Sequence, residues 1–210
     1  MKLREWLKIY RNLAKDLNIN ESLDYLARDI IFKLGIGKLL NSDVLKAKIK
    51  GKTVAVVGLC ITKKELQSIN EEVVITSGKS IVKVREYDAN FVPDVHVTDL
   101  EEEEEIIVNL EKNGCILVIH AHGDNIERIR KIVPKLSSFV ATTQVQPIKG
   151  VYNFGGFTDG DRAAIIAKVM QAKAIKLYGF DFKKVDNPLK RRKMKWAKIV
   201  LAKEKLFDIV

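Results

Sequence analysis

From Thr53 onward the chain alternates short β-branched apolar runs with polar stretches of helical pattern, and no other feature limits its possible folds as strongly. The runs are Thr53–Val57, Val73–Thr76, Val95–Thr98, Cys115–His120, Phe139–Thr142 and Ile175–Tyr178. Strands covered on both faces read as continuous Val- and Ile-rich runs, and parallel neighbours must be joined by a crossover, usually a helix. The pattern therefore predicts an α/β fold with a mainly parallel Rossmann-like sheet flanked by helices. In such sheets ligands gather beyond the carboxyl ends of the strands. The residues to inspect are those that follow each run: Gly58, Ser77-Gly78, Asp99, His120 to Asn125, Thr142-Thr143 and Gly179 to Asp181.

The first fifty residues follow a different period. Leu3, Trp6, Leu7, Tyr10 and Leu13 recur at spacings of three and four, and Leu23, Leu26, Ile30, Ile31 and Leu34 repeat the pattern, with Asn20 as an N-cap and Gly35 as a stop. The organisation expected is a helical segment over 1–50, an α/β domain over 51–182 and a basic helical segment over 183–210 packed on the same domain. No apolar run approaches the length of a membrane span, and the start MKLREWLKIYRNLAKDL has none of the uninterrupted apolar region of a secretory signal. A cytoplasmic protein is expected, and the pattern admits a homo-oligomer. Cys60 and Cys115 each sit in an apolar stretch and read as buried free thiols.

The net charge of +10 invites a nucleic-acid reading, but its distribution argues otherwise. Lys183 to Val210 hold ten Lys/Arg against Asp186, Glu204 and Asp208, so seven of the ten net charges belong to the last 28 residues. A cationic segment beside a phosphate site concentrates an anionic substrate as well as it holds RNA, within about 8 Å at physiological salt. Helical spacing at Leu189, Met194 and Ile199, with only Trp196 among the charges, favours a packed helix over an RNA arm. The run Glu101–Glu105 reads as a solvated, dipole-favoured helix start.

Three constellations carry chemistry. In Val95–Glu101 a strand delivers Asp99 to the sheet edge with Glu101 close behind; a hard cation shared with substrate phosphates suits such carboxylates, and the plain alternative is a helix cap. In Ile119–Asn125 two of the three histidines, His120 and His122, stand with Gly123, Asp124 and Asn125, offering proton carriers and phosphate donors; the alternative is a cap at Asp124 or Asn125 with locally bonded histidines. In Tyr152–Arg162 the pair Gly155-Gly156 precedes Thr158, Asp159, Asp161 and Arg162 and an apolar helical face. A helix N-terminus attracts phosphate, whereas two aspartates repel it unless a cation intervenes, so a metal-bridged phosphate site fits better than a bare anion nest. The alternative is a Gly-rich turn with acidic caps. A Walker A motif is absent, Val57–Ile61 lacks the later glycines of a dinucleotide fingerprint, and no serine sits in a nucleophile elbow.

HAHGDN at His120–Asn125, TTQ at Thr142–Gln144 and YNFGGFTDGDRA at Tyr152–Ala163 together resemble the archaeal 6-hydroxymethyl-7,8-dihydropterin pyrophosphokinase family. Pro93–Leu100, GFDF at Gly179–Phe182, KMKWAK at Lys193–Lys198 and the opening Glu5-Trp6-Leu7 extend the likeness. The resemblance implies transfer of diphosphate from ATP to the hydroxymethyl group of a reduced pterin, with Mg²⁺ as cofactor and AMP released, on a fold similar to the catalytic domain of thiamine pyrophosphokinase. Carried over by position, it implies catalytic roles for Asp99, His122, Asp124, Asp159 and Asp161. It places Gly58, Ser77, Gly78, Asn125, Gly155, Gly156, Thr158 and Arg162 around the nucleotide, and Asp99, Glu101, Asp159 and Asp161 around the metal. The family's small-residue loop after the first strand reads here Gly58-Leu59-Cys60-Ile61-Thr62, its ADG turn reads Thr76-Ser77-Gly78, and its DLDG reads Asp99-Leu100-Glu101-Glu102, with Lys79 available as a substitute phosphate contact. Those departures keep two alternatives in view: a nucleotide- or pterin-binding paralogue without turnover, and a pyrophosphokinase for another acceptor such as thiamine.

Overall fold

Period-two alternation along the strands splits the core into layers on the two sides of one sheet. In the computed structural model, which describes residues 1–181 and 187–206, the strands are β1 (Thr53–Val57), β2 (Val73–Ser77), β3 (Val95–Thr98), β4 (Ile116–Ala121), β5 (Val140–Thr143), β6 (Val151–Tyr152) and β7 (Ala174–Tyr178). All pair in parallel, in the order β6-β5-β4-β3-β2-β1-β7. The short β6 is an addition to the expected strands: Tyr152, read as part of a Gly-rich loop, pairs with Thr142, and its brevity left no alternating pattern to detect. The boundary expected at 182/183, the Phe182 of GFDF, and Asp186 and Asp208 lie outside the described residues.

The helices are α1 (Leu3–Leu17), α2 (Glu21–Leu34), α3 (Asp43–Ile49), α4 (Lys63–Gln67), α5 (Ser80–Tyr87), α6 (Glu104–Lys112), α7 (Ile126–Ile132), α8 (Asp159–Val169) and α9 (Pro188–Lys203). The crossovers between successive neighbours β1 to β5 put α4 to α7 on one face, and the long return from β6 to β7 puts α8 on the other. Val54 and Val56 accordingly join Ala163–Ala167 of α8, Trp6 and Tyr10 of α1, and Val200 and Leu201 of α9. Ala55 and Val57 face the opposite way, toward Ile61 and Val84, while Leu117 and Ile119 meet Ala27 and Ile31 of α2 and Ile129 of α7. Among the described residues no helix is long and apolar enough to cross a membrane.

Three expectations are corrected by packing. On α2 the buried stripe is Asp24, Ala27 and Ile31, whereas Leu23 and Leu26 are exposed. On α9 it is Ala197, Val200 and Leu201, with Leu189 and Ile199 exposed. Cys115 is buried as expected, but Cys60 is exposed, because the chain leaves the sheet at Gly58 and turns before Ile61 re-enters the core. Both thiols are unpaired.

Candidate active site

A cleft of about 840 Å³ opens over the carboxyl ends of β1 to β5 and β7 and collects most of the polar residues singled out by sequence. Its centre is the N-terminus of α8. Thr158 takes extended backbone as the N-cap, and the capping box it forms with Asp161 fixes this end of the helix. Asp161 accepts from the Phe157 and Thr158 amides at 2.8 and 2.6 Å and from Thr158 Oγ1 at 2.6 Å. Both its oxygens are therefore committed, and a residue expected among the metal and phosphate ligands is instead a buried cap. Burial raises its pKa above its ordinary value despite those bonds.

Asp159 and Asp99 are brought together from different elements. Asp159 Oδ1 pairs with Arg162 Nη1 at 3.0 Å, and Arg162 also donates to the Gly156 and Phe157 carbonyls at 3.3 and 3.2 Å. Gly78, at φ +51°, closes the other side: a Cβ there would stand 2.9 Å from Asp159 Oδ2. Burial and the nearby Asp99 push the Asp159 pKa well above its ordinary value. Asp99 is half-buried, but His122, whose Nε2 lies 3.6 Å from Asp99 Oδ2, and then Arg162 outweigh desolvation and hold its pKa low. Asp99 Oδ1 is buried without a hydrogen-bond partner. An ionised carboxylate with a bare oxygen beside a second carboxylate that resists ionisation is the arrangement a cation relieves.

The loop that presents Asp99 is held under strain. Leu100 takes φ +68°, a conformation that costs a non-glycine residue about 1–2 kcal/mol. Four bonds fix it: Leu100 N to Thr98 Oγ1 at 2.7 Å, Asn125 Nδ2 to the Asp99 carbonyl at 2.7 Å, Arg128 Nε to the Leu100 carbonyl at 2.7 Å, and Arg128 Nη2 to the Glu102 carbonyl. Glu102, read as part of a solvated acidic run, is instead buried, accepts from Thr98 Oγ1 at 2.6 Å and faces His96 Nε2 at 3.3 Å. Burial raises its pKa, but contacts with His96 and Thr98 outweigh that and keep it below the ordinary value. The helix itself begins only at Glu104. Asp99 is not its cap, since Glu103 occupies that position.

The remaining expected residues divide. Gly58, Ser77, Gly78, Thr158, Asp124 and His122 reach the cleft wall. Asn125 bonds the Asp99 and His120 carbonyls, so it acts as a clamp between two loops and is not itself on the wall. Gly155 and Gly156 are likewise off the wall: Gly155 faces Trp6, and Gly156 packs on the Arg162 backbone, so the close approach they permit is to protein. Glu101 pairs with Lys79 at 3.3 Å, both well exposed. Among the described residues no group of three or more His, Cys, Asp or Glu side chains is placed to hold a metal ion by itself.

Sequence reasoning missed the wall built from α2. Asp24 is 1% exposed and receives the Tyr10 hydroxyl, Gln144 Nε2 at 2.6 Å and the Gly123 amide at 2.7 Å. Trp6 Nε1 adds a bond to the Gln144 carbonyl at 2.8 Å. The N-terminal helices are thereby bonded into both HAHGDN and TTQ. Gly123 serves that union, since a Cβ there would lie 2.6 Å from Leu23 Cβ. The available signal was Asp24 itself, a carboxylate at a core-facing position of an amphipathic helix. The helix α9, bonded to the end of α1 through Arg192 and Trp196 on Asp16, brings Lys190 and Lys193 to the cleft.

A parallel α/β sheet with carboxylates, an arginine and a helix N-terminus converging at its carboxyl edge has the parts of an enzyme that transfers phosphoryl groups. The comparisons narrow that class. Residues 36–187 match the family model described as 6-hydroxymethylpterin diphosphokinase MptE-like. A curated relative in Methanocaldococcus jannaschii, named 6-hydroxymethyl-7,8-dihydropterin pyrophosphokinase, is 35% identical over 197 residues, covering 87% of this chain and 80% of that protein. Relatives of the same name are 31% identical in Pyrococcus furiosus, over 87% of this chain and 79% of that one, and 38% identical in Methanothermobacter thermautotrophicus, over 50% and 52%. The chain belongs to the MptE-like 6-hydroxymethylpterin diphosphokinase family, and it is a pyrophosphokinase, a diphosphotransferase enzyme.

Proposed function

We propose that the protein transfers the terminal diphosphate of ATP to the hydroxymethyl group of 6-hydroxymethyl-7,8-dihydropterin and releases AMP, with Mg²⁺ held between the phosphates and the carboxylates of Asp99 and Asp159. The observation that carries this reading is the buried, unpartnered Asp99 Oδ1 beside Asp159 at the start of α8. Mg²⁺ commonly takes one or two carboxylates and completes its shell with water and substrate phosphate, which suits a site where the protein supplies two acids. Once bound, the cation would neutralise charge on the transferring diphosphate.

The chain's own groups do the rest by position. The first amides of α8 and the Arg162 guanidinium face incoming phosphate with positive potential, and Lys190 and Lys193 add to it at the rim. His122 orients Asp99. The acceptor hydroxyl attacks the β-phosphorus as the bond to the α,β-bridging oxygen breaks and AMP leaves with that electron pair, so catalysis is mainly alignment and charge neutralisation. The basic helix supports an anionic co-substrate better than RNA, since α9 packs its apolar stripe on the domain and turns lysines to the cleft. A cytoplasmic setting suits the two unpaired thiols.

The test is AMP release from purified protein with ATP, Mg²⁺ and 6-hydroxymethyl-7,8-dihydropterin, with thiamine as the parallel acceptor. Pterin-dependent AMP is expected. Thiamine-dependent AMP alone would reassign the acceptor. Folded protein that binds nucleotide or pterin and yields no AMP with either acceptor would make it a binding protein without turnover, the reading that Leu59 and Cys60 in the first loop favour.

A further inference from the structure

One wing of the cleft lies between the α1–α2 turn and the ends of β4 and β5. Its floor is His120, on the same face of β4 as Val118 and 2% exposed. Its walls are Ile19, Leu23 and Asp24 on one side and Gln144 on the other.

The proton on His120 can be placed from its neighbours. Thr142 Oγ1 donates its single hydrogen to the Ile119 carbonyl at 3.2 Å. The same oxygen lies 3.1 Å from His120 Nδ1, so in this contact it can only accept, and Nδ1 carries the hydrogen. Burial keeps the imidazole neutral, with the charges of Arg162 and His122 acting in the same direction. Nε2 is then a bare lone pair, and it is buried without a partner. Gln144 borders it, its amide Nε2 giving one of its two hydrogens to Asp24. A buried acceptor left unmatched is unfavourable, and a phosphate oxygen, itself an acceptor, does not relieve it.

We propose that this wing is the subsite for the acceptor's heterocycle, and that His120 Nε2 reads a ring N–H or amino donor of it. The inference rests on the pterin reading above and extends it, naming the residue that selects a donor-bearing ring. The apolar walls at Ile19 and Leu23 suit the flat faces of such a ring. Thr142 acts from behind, outside the cleft wall, by holding the tautomer.

The test measures binding without turnover: 6-hydroxymethyl-7,8-dihydropterin and ATP are titrated separately against wild type, His120→Met, His120→Gln and Thr142→Val. His120→Met removes the acceptor at similar volume and is expected to weaken pterin binding about tenfold to a hundredfold, leaving ATP affinity unchanged. His120→Gln puts an amide oxygen near the Nε2 position and should recover most of the loss. Thr142→Val frees the tautomer and should weaken pterin binding several-fold from outside the cleft. ATP binding reports that each variant is folded. Wild-type pterin affinity in both His120→Met and Thr142→Val, or equal losses for ATP and pterin, overturns the assignment while the pterin reading stands. Failure of wild type itself to bind the pterin overturns both.

Discussion

Arg162 Nη1 stands 3.0 Å from Asp159 Oδ1 at the first turn of α8, and both side chains are nearly closed to solvent. The pair holds a carboxylate ready at the centre of the cleft against its own tendency to stay protonated. Removing the cation alone strands a buried charge, which typically costs about 3–5 kcal/mol. Arg162→Met is therefore expected to lower the midpoint of urea unfolding strongly. The double variant Arg162→Met/Asp159→Asn should regain much of that loss, and a sum of independent effects would show the two side chains to be uncoupled.

Asp159→Asn by itself should lower both stability and turnover. It removes a carboxylate whose ionisation the site resists but also the main counter-charge of buried Arg162, so the melting temperature should fall, by less than in Arg162→Met. If Asp159 neutralises or positions charge in the transition state, turnover should fall about a hundredfold to a thousandfold, the usual consequence of losing one such contact. Parallel melting curves and AMP-release rates check both halves.

The Asp24 cluster should behave as a structural joint. Asp24→Ala leaves the Tyr10 hydroxyl, the Gln144 amide and the Gly123 N–H without their acceptor, and a loss of about 3 kcal/mol or more is expected in denaturant unfolding. Tyr10→Phe removes only one donor and should cost about 1 kcal/mol. Gly123→Ala acts on the same joint by overpacking against Leu23, with about 1–3 kcal/mol expected.

His120 gives stability a pH dependence of defined sign. Its pKa is well below the ordinary 6.5 in the folded state, so the unfolded chain binds the extra proton first as pH falls. Stability conferred by the neutral imidazole is complete above about 6.5 and declines as pH drops below it. Asp159 works in the opposite sense, because a raised carboxyl pKa means that the folded state binds the extra proton. The difference in unfolding free energy between wild type and His120→Gln cancels that contribution; it should shrink as pH is lowered from 7.5 to 5. A constant difference would show His120 to titrate alike in both states.

Much of this protein is decided locally. The β-branched runs between helical stretches determined the parallel α/β sheet, because strands covered on both faces need continuous apolar sequence and parallel pairs need crossovers. The place of the cleft followed, since strand ends in such a sheet are where backbone groups and loops face a ligand, and Asp99, His122 and Asp159 stand there. Roles within the cleft were decided by partners distant in the chain. Asp159 and Asp161 are two residues apart and chemically identical, yet one faces Asp99 and the other caps a helix, because the capping box turns Asp161 back onto Phe157 and Thr158. Glu102 left the solvated run it belongs to when the left-handed turn at Leu100 swung it against His96. Asp24 entered the site only because α2 packs across β4 and β5, 99 residues from Gly123 and 120 from Gln144. Spacing specifies which face a side chain takes on its own element, and only the packing of elements specifies what meets it there.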